Sequence, residues 1–142
     1  MAMSSVRVRV VKAQFQVTVN ATPTAIKKAF QTVAREMDEE LHSRIDDPAP
    51  PASSPGQPPH RDSGYLYDET SVRAEGSTIK VRTPQYGVWL EGGTRKMAAR
   101  PFIRPTIHGK PKFWGKRLNM HAKREMVKAA KLKKTRPKAK RR

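Results

Sequence analysis

Cysteine is absent from this 142-residue chain, which excludes a disulfide framework, thiolate zinc sites and a cysteine nucleophile. Aromatic residues make up only 6% and hydrophobic residues 36%, so the core of what is one domain by length must be modest. No run approaches the ~20 apolar residues needed to cross a bilayer. The first eleven residues interleave Arg7 and Arg9 with valines instead of forming the apolar stretch of a secretory signal. The four histidines, His42, His60, His108 and His121, stand at no metal-ligand spacing and read as exposed or loop side chains. None of the 12 acids is followed two positions later by lysine, a spacing common in metal-dependent nucleases. A glycine-rich phosphate loop with its lysine is also missing. Ser53, Ser54 and Ser63 have no local sign of an activating base. The expectation is a non-enzymatic protein with no catalytic residue, no cofactor and no metal.

Acidic charge is scarce as well: 30 Lys+Arg face 12 Asp+Glu, for a formal charge of +18. Its distribution is uneven. Residues 1–110 carry a net +5 and residues 111–142 a net +13, where Glu125 is the one acid among 14 basic residues. Six acids cluster between Glu36 and Asp47. Charge and composition thus divide the chain into residues 1–110, an α+β domain, and residues 111–142, a basic C-terminal helix and tail.

What is present has clear periods. Val6, Val8 and Val10 alternate with Arg7 and Arg9, as in a half-buried strand, and Val11, Ala13, Phe15, Val17 and Val19 continue with the opposite parity. A bulge or turn near Val10–Val11 would bring both runs to one core. Thr22-Pro23 offers an N-cap and a proline at the first helical position. Ile26, Phe30, Val33, Met37 and Leu41, joined by Ala29 and Ala34, then form the stripe of an amphipathic helix over roughly residues 23–45. Its outer face reads as Lys27, Lys28, Arg35, Glu36, Glu39 and Glu40.

Six of the 12 prolines fall between Asp47 and Gly64, which excludes a regular element and suggests a binding arm or a disordered segment over 47–64. Tyr65–Thr83 reads as a hairpin, with arms at Ser71–Glu75 and Ile79–Arg82 and a Gly76-Ser77 turn. Pro84 stops it, and Tyr86–Leu90 is a short apolar stretch broken by Gly92-Gly93. Pro111 opens a second helix to about Lys134, striped by Trp114, Leu118, Ala122, Met126 and Ala130, with Pro137 ending it. The fold class expected is α+β: a small antiparallel or mixed sheet from residues 6–19 and 71–83, packed against the long helix. A Pro-rich arm and the basic C-terminal helix and tail complete it.

The C-terminal cations Lys112, Lys116, Arg117, Lys123, Arg124, Lys128, Lys131, Lys133, Lys134, Arg136, Lys138, Lys140, Arg141 and Arg142 form a strip. It can meet DNA phosphates through counterion release, dock on an acidic protein surface, or remain a solvated tail. One class of function is therefore a free, sequence-nonspecific nucleic-acid-binding protein.

The stretch Tyr86–Thr94, followed by Ala99–Thr106, has a different character. Glu91 sits beside apolar Trp89 and Leu90, Gly92-Gly93 permits close backbone approach, and Pro101 and Pro105 bracket Phe102 and Ile103. Glu91 and Arg104 are expected to form a partly buried pair.

These residues resemble the neck, or head–tail joining, proteins of long-tailed bacteriophages. That family carries Tyr-x-x-x-Leu/Val-Glu-Phe-Gly-Thr, then Pro-Phe-Leu-Arg-Pro-Ala before a C-terminal helix, and upstream a Pro-Gly-x-Pro-Pro loop leading to Thr/Ser-Gly-x-Leu. This chain has Tyr86, Leu90-Glu91, Gly93-Thr94, Pro101–Pro105, Pro55-Gly56-Gln57-Pro58-Pro59 and Ser63–Leu66, in family order. It departs at Gly92, usually aromatic in the family, and at Thr106, usually Ala. The resemblance, which covers about residues 15–125, implies a structural subunit of the virion neck, made in the host cytoplasm and not membrane-bound. It implies a ring of roughly six or twelve copies of itself around the DNA channel, between the portal or connector and the tail terminator or tail tube. The interface residues it suggests are Pro55, Pro58, Pro59, Trp89, Glu91, Phe102 and Arg104. The acidic helix end and the basic C-terminus are expected to complement each other across subunits.

Overall fold

The computed structural model describes residues 7–10 (backbone only), 20–49 and 51–135. The architecture is α+β. Strand β1, Arg7–Val10, precedes the long helix α1, Pro23–Arg44. A short helix α2, Tyr65–Glu69, leads into the hairpin of β2, Ser71–Glu75, and β3, Thr78–Thr83. Three helices follow: α3, Gln85–Gly92; α4, Ile103–Ile107; and α5, Pro111–Thr135. The sheet is antiparallel with order β1-β3-β2, so the centre is β3. Val72 faces Val81 and Ala74 faces Ile79 across the hairpin, and Arg7 faces Thr83 across the other ladder.

Helix α1 begins as its sequence dictates. The Thr22 hydroxyl accepts from Ala25 N–H at 3.2 Å, and Pro23 occupies the first turn, where its missing donor is harmless. Ala29, Phe30, Val33, Ala34, Met37 and Leu41 are buried on one face. They meet Val72, Ile79 and Val81 of the sheet, together with Leu90, Phe102, Ile103, Ile107, Trp114, Leu118 and Ala122. Asp38 pins α1 to the start of β2, its carboxylate accepting from Val72 N–H at 2.7 Å.

Helix α5 runs antiparallel to α1: Lys110 pairs with Glu40, Arg117 with Glu36, and Lys28 with Glu125 near the opposite end. Trp114, Leu118, His121 and Ala122 are buried in the common core. The boundary drawn on charge at 110/111 is therefore not a boundary in packing; the first half of the basic segment belongs to the body. From Val127 onward every described residue of α5 is exposed, including Ala130 of the expected stripe, because α1 begins beside Met126 and nothing described covers the helix beyond it. Gly115 does not interrupt the helix.

Three sequence expectations are corrected. Tyr65–Glu69 is a helix, and the hairpin begins at Ser71. Tyr86–Leu90 lies within α3 and is no isolated apolar stretch. Glu36, read as outer-face, is half-buried beneath α5. The proposed bulge at Val10–Val11, the run to Val19 and the tail beyond Thr135 lie outside the described residues. Among the described residues no helix is long and apolar enough to cross a membrane.

Candidate functional site

Three segments that lie apart in sequence meet at α3. Gly87 lets α3 lie against β3: a Cβ there would stand 2.0 Å from the Thr83 hydroxyl oxygen. One face of α3 thereby buries Leu90 and Glu91, while Tyr86 and Trp89, three residues apart on the other face, are 48% and 50% exposed. The helix ends at Gly93, whose φ of 73° and close approach to Ala99 exclude a side chain. Leu90 carbonyl then accepts from Arg100 N–H at 2.7 Å, turning the chain back along α3.

Glu91 organises the turn. It is 5% exposed, and its carboxylate accepts from three successive backbone N–H groups, Phe102 at 2.8 Å, Ile103 at 2.9 Å and Arg104 at 2.8 Å. These are the unsatisfied donors that open α4, so the negative charge sits where the amide dipoles favour it. The expected Glu91–Arg104 ion pair is not what forms: only the backbone of Arg104 reaches Glu91, and its side chain is exposed. Proline at 101 and 105 leaves these amides few other conformations. Phe102, fully buried, plugs the core. Thr106 donates its hydroxyl to Phe102 carbonyl at 2.8 Å and receives the Trp114 indole N–H on its own carbonyl at 2.7 Å, so the departure from Ala adds a satisfied hydroxyl. At Gly92 a Cβ would meet open space, so no close backbone approach requires glycine there.

The Pro-rich segment closes on the same place. Pro48 and Arg61 bridge in parallel, with Ala49 N–H donating to Arg61 carbonyl at 2.9 Å and Arg61 N–H to Asp47 carbonyl at 2.6 Å. At its tip Gly56 N–H donates to Ala99 carbonyl at 2.9 Å. Arg61 also pairs with Asp46 at 3.0 Å and covers the Tyr67 ring at 4.4 Å. The segment is thus a closed loop docked on its own chain, with the near ends of an Ω-loop, and not a free arm. Pro59 is buried, Pro58 half-buried and Pro55 exposed. Two adjoining clefts of about 200 and 290 Å³ separate the loop from α3; both are bordered by Pro59, His60, Asp62, Tyr86 and Leu90. Arg100 lines the second, and its Nε is buried with no hydrogen-bond partner among the described residues.

Of the seven expected interface residues, Pro59, Glu91 and Phe102 are therefore spent on the chain's own packing, because each is buried there. Pro55, Trp89 and Arg104 are exposed. Tyr86 and Arg100 were missed; the three-residue spacing of Tyr86 and Trp89 would have revealed the shared face had α3 been recognised.

The basic residues divide in the same way. Arg117 makes a two-pronged contact with Glu36, its Nε at 3.0 Å from Oε2, and the His121 ring nitrogen Nε2 lies 2.8 Å from Oε1. Burial alone would raise the Glu36 carboxyl, but the hydrogen bonds and charges of Arg117 and His121 outweigh it and hold the group below its ordinary range. The bond to Glu36 likewise raises the Arg117 guanidinium. Of the acidic zone, Glu36 thus meets a cation of the basic C-terminal segment, Arg117, within the chain, and Glu40 meets Lys110 just before it. Histidine was misjudged as well: His121 is 8% exposed, and His42 is half-buried, its Nδ1 and Nε2 lying 2.7 and 3.0 Å from the carbonyls of Asp38 and Tyr67. Lys112, Lys116, Lys123, Arg124, Lys128, Lys131, Lys133 and Lys134 are exposed, whereas Arg136, Lys138, Lys140, Arg141 and Arg142 lie outside the described residues.

Among the described residues no group of three or more His, Asp or Glu side chains is placed to hold a metal ion. The chain matches no protein-family model, no curated protein and no solved structure at a significant level.

Proposed function

We propose that this chain is a non-enzymatic structural subunit of a long-tailed bacteriophage neck. It assembles as a ring between the portal or connector and the tail terminator or tail tube, around the DNA channel, and resides in the virion. The observation that carries this reading is the convergence of all three resemblance segments at one place. The loop tip is bonded to Ala99, Arg100 to Leu90, and the Phe102–Arg104 amides to Glu91. Motifs packed into one rigid unit support a shared task. That unit presents Tyr86 and Trp89 half-exposed on one helix face. Tyrosine, tryptophan and arginine are the residues that anchor protein interfaces. A neighbouring copy that covers Tyr86 and Trp89 removes both rings from water.

Size-exclusion chromatography with light scattering tests the proposal, on the chain alone and mixed with a phage portal or connector protein. A discrete multimer in either sample is expected. A chain that remains monomeric in both, at concentrations well above those of assembly, overturns it.

A further inference from the structure

The cations of α5 are not spread evenly around it. At about 3.6 residues per turn, Trp114, Leu118, His121 and Ala122 define the face turned to the body. Lys112, Lys116, Lys123, Arg124, Lys131 and Lys134 all fall within about 80° of the opposite direction, and all six are exposed. At about 1.5 Å per residue the stripe runs roughly 33 Å. It holds no acid: Glu125, the one carboxylate of α5, points inward to Lys28 and Lys128. The cations near the core are neutralised by α1, Arg117 by Glu36 and Lys110 by Glu40. None of the six outward cations has an acidic partner among the described residues. The fold has sorted the basic residues into a paired inner set and an unpaired outer line.

We infer that the outward face of α5 is a contact surface for the phosphate backbone of duplex DNA, independent of base sequence. A duplex presents one negative charge per ~1.7 Å of its axis, without interruption over the length of the stripe, and one turn of it spans about 34–36 Å. A folded acidic protein offers carboxylates in patches broken by neutral and basic side chains, which matches an acid-free line of cations of this length less well. A second copy docking through the same face would set cation against cation. Phe113, Met120 and Val127 recur on this face at seven-residue steps, too sparsely to form an apolar face of the kind that enters a membrane surface. The lysine and arginine stems can lie along them while the charged heads reach phosphate. No group reads base edges, so affinity comes from counterion release. The surface belongs to a single copy, so it stands whether or not the ring forms.

Fluorescence anisotropy of the full chain on a labelled mixed-sequence duplex, titrated at several salt concentrations, tests this. Six neutralised phosphates correspond to a slope of about −5 in log affinity against log salt. The variant with Lys112, Lys116, Lys123, Arg124, Lys131 and Lys134 all changed to Gln should therefore flatten the slope by about 5. A control with Lys27, Arg35, Arg73, Arg82, Arg95 and Lys96 changed to Gln removes six exposed cations elsewhere and should change it by less than half as much. Circular dichroism and gel filtration verify that both variants fold. A control loss of half that or more, or a slope unaltered by the stripe changes, overturns the inference and moves binding to net charge alone or to the last residues. Binding to anionic vesicles but not to the duplex, lost in the stripe variant, also overturns it.

Discussion

Glu91→Ala removes the acceptor of three backbone N–H groups at once, two of them buried and that of Arg104 partly buried. Each buried unsatisfied donor costs about 1–3 kcal/mol, so a loss of about 3 kcal/mol or more is expected in urea unfolding. Glu91→Gln keeps one acceptor oxygen and should lose less. Arg104→Ala should leave stability within about 0.5 kcal/mol of the parent, since only its backbone is used. An ion pair between the two side chains would instead make Arg104→Ala costly. Gly87 makes a second residue-scale prediction. Gly87→Ala forces a methyl group onto the Thr83 hydroxyl and should cost about 1–3 kcal/mol of stability. Combined with Thr83→Ala the two losses should not add, because the second change removes the nearest obstacle.

At the scale of elements, α1 and α5 are held by an apolar seam and by the Glu36–Arg117–His121 cluster at its edge. The Glu36 carboxyl is held below its ordinary value of 4.5 in the fold. Its contribution to stability is therefore complete above 4.5 and is lost as pH falls through the lower folded value. Urea unfolding from pH 7 down to pH 3 should show a fall in stability that Glu36→Gln abolishes in part, with the two proteins converging in acid. A variant that tracks the parent's pH dependence throughout would exclude Glu36 as its source. This cluster also marks where sequence reading stops. Periodicity reveals α1, α5 and the β2–β3 hairpin because each repeats its pattern several times. It does not distinguish a charged helix face turned to water from one turned to another charged helix, so Glu36 read as outer-face. The five-residue helices α2 and α4 are too short to display a period, and α3 is barely two turns with a glycine inside it. Glu91 was recognisable as an odd carboxylate among apolar residues. That it would serve backbone amides instead of Arg104 depended on α4 beginning just there.

The whole molecule is asymmetric in charge and in exposed aromatic surface. Glu36 of α1 neutralises Arg117 of α5 and Glu40 neutralises Lys110 just before it, which leaves an outward basic line on one side. Tyr86 and Trp89 stand exposed on a separate element, beside the clefts under the Pro-rich loop. Two separate surfaces leave room for both proposed contacts, a sister copy at α3 and DNA along α5. A Tyr86→Ala/Trp89→Ala variant should keep its unfolding midpoint within a few degrees, because both rings are about half exposed, yet lose the multimer in light scattering with its connector. Loss of the fold together with assembly would place these rings in the core instead. The most direct measurement is cryo-electron microscopy of the head–tail junction in purified particles, with symmetry applied about the tail axis. The account predicts a ring of this fold, with the Tyr86–Trp89 face of each copy against the next. A junction without this chain, or copies there that do not touch one another, would contradict it.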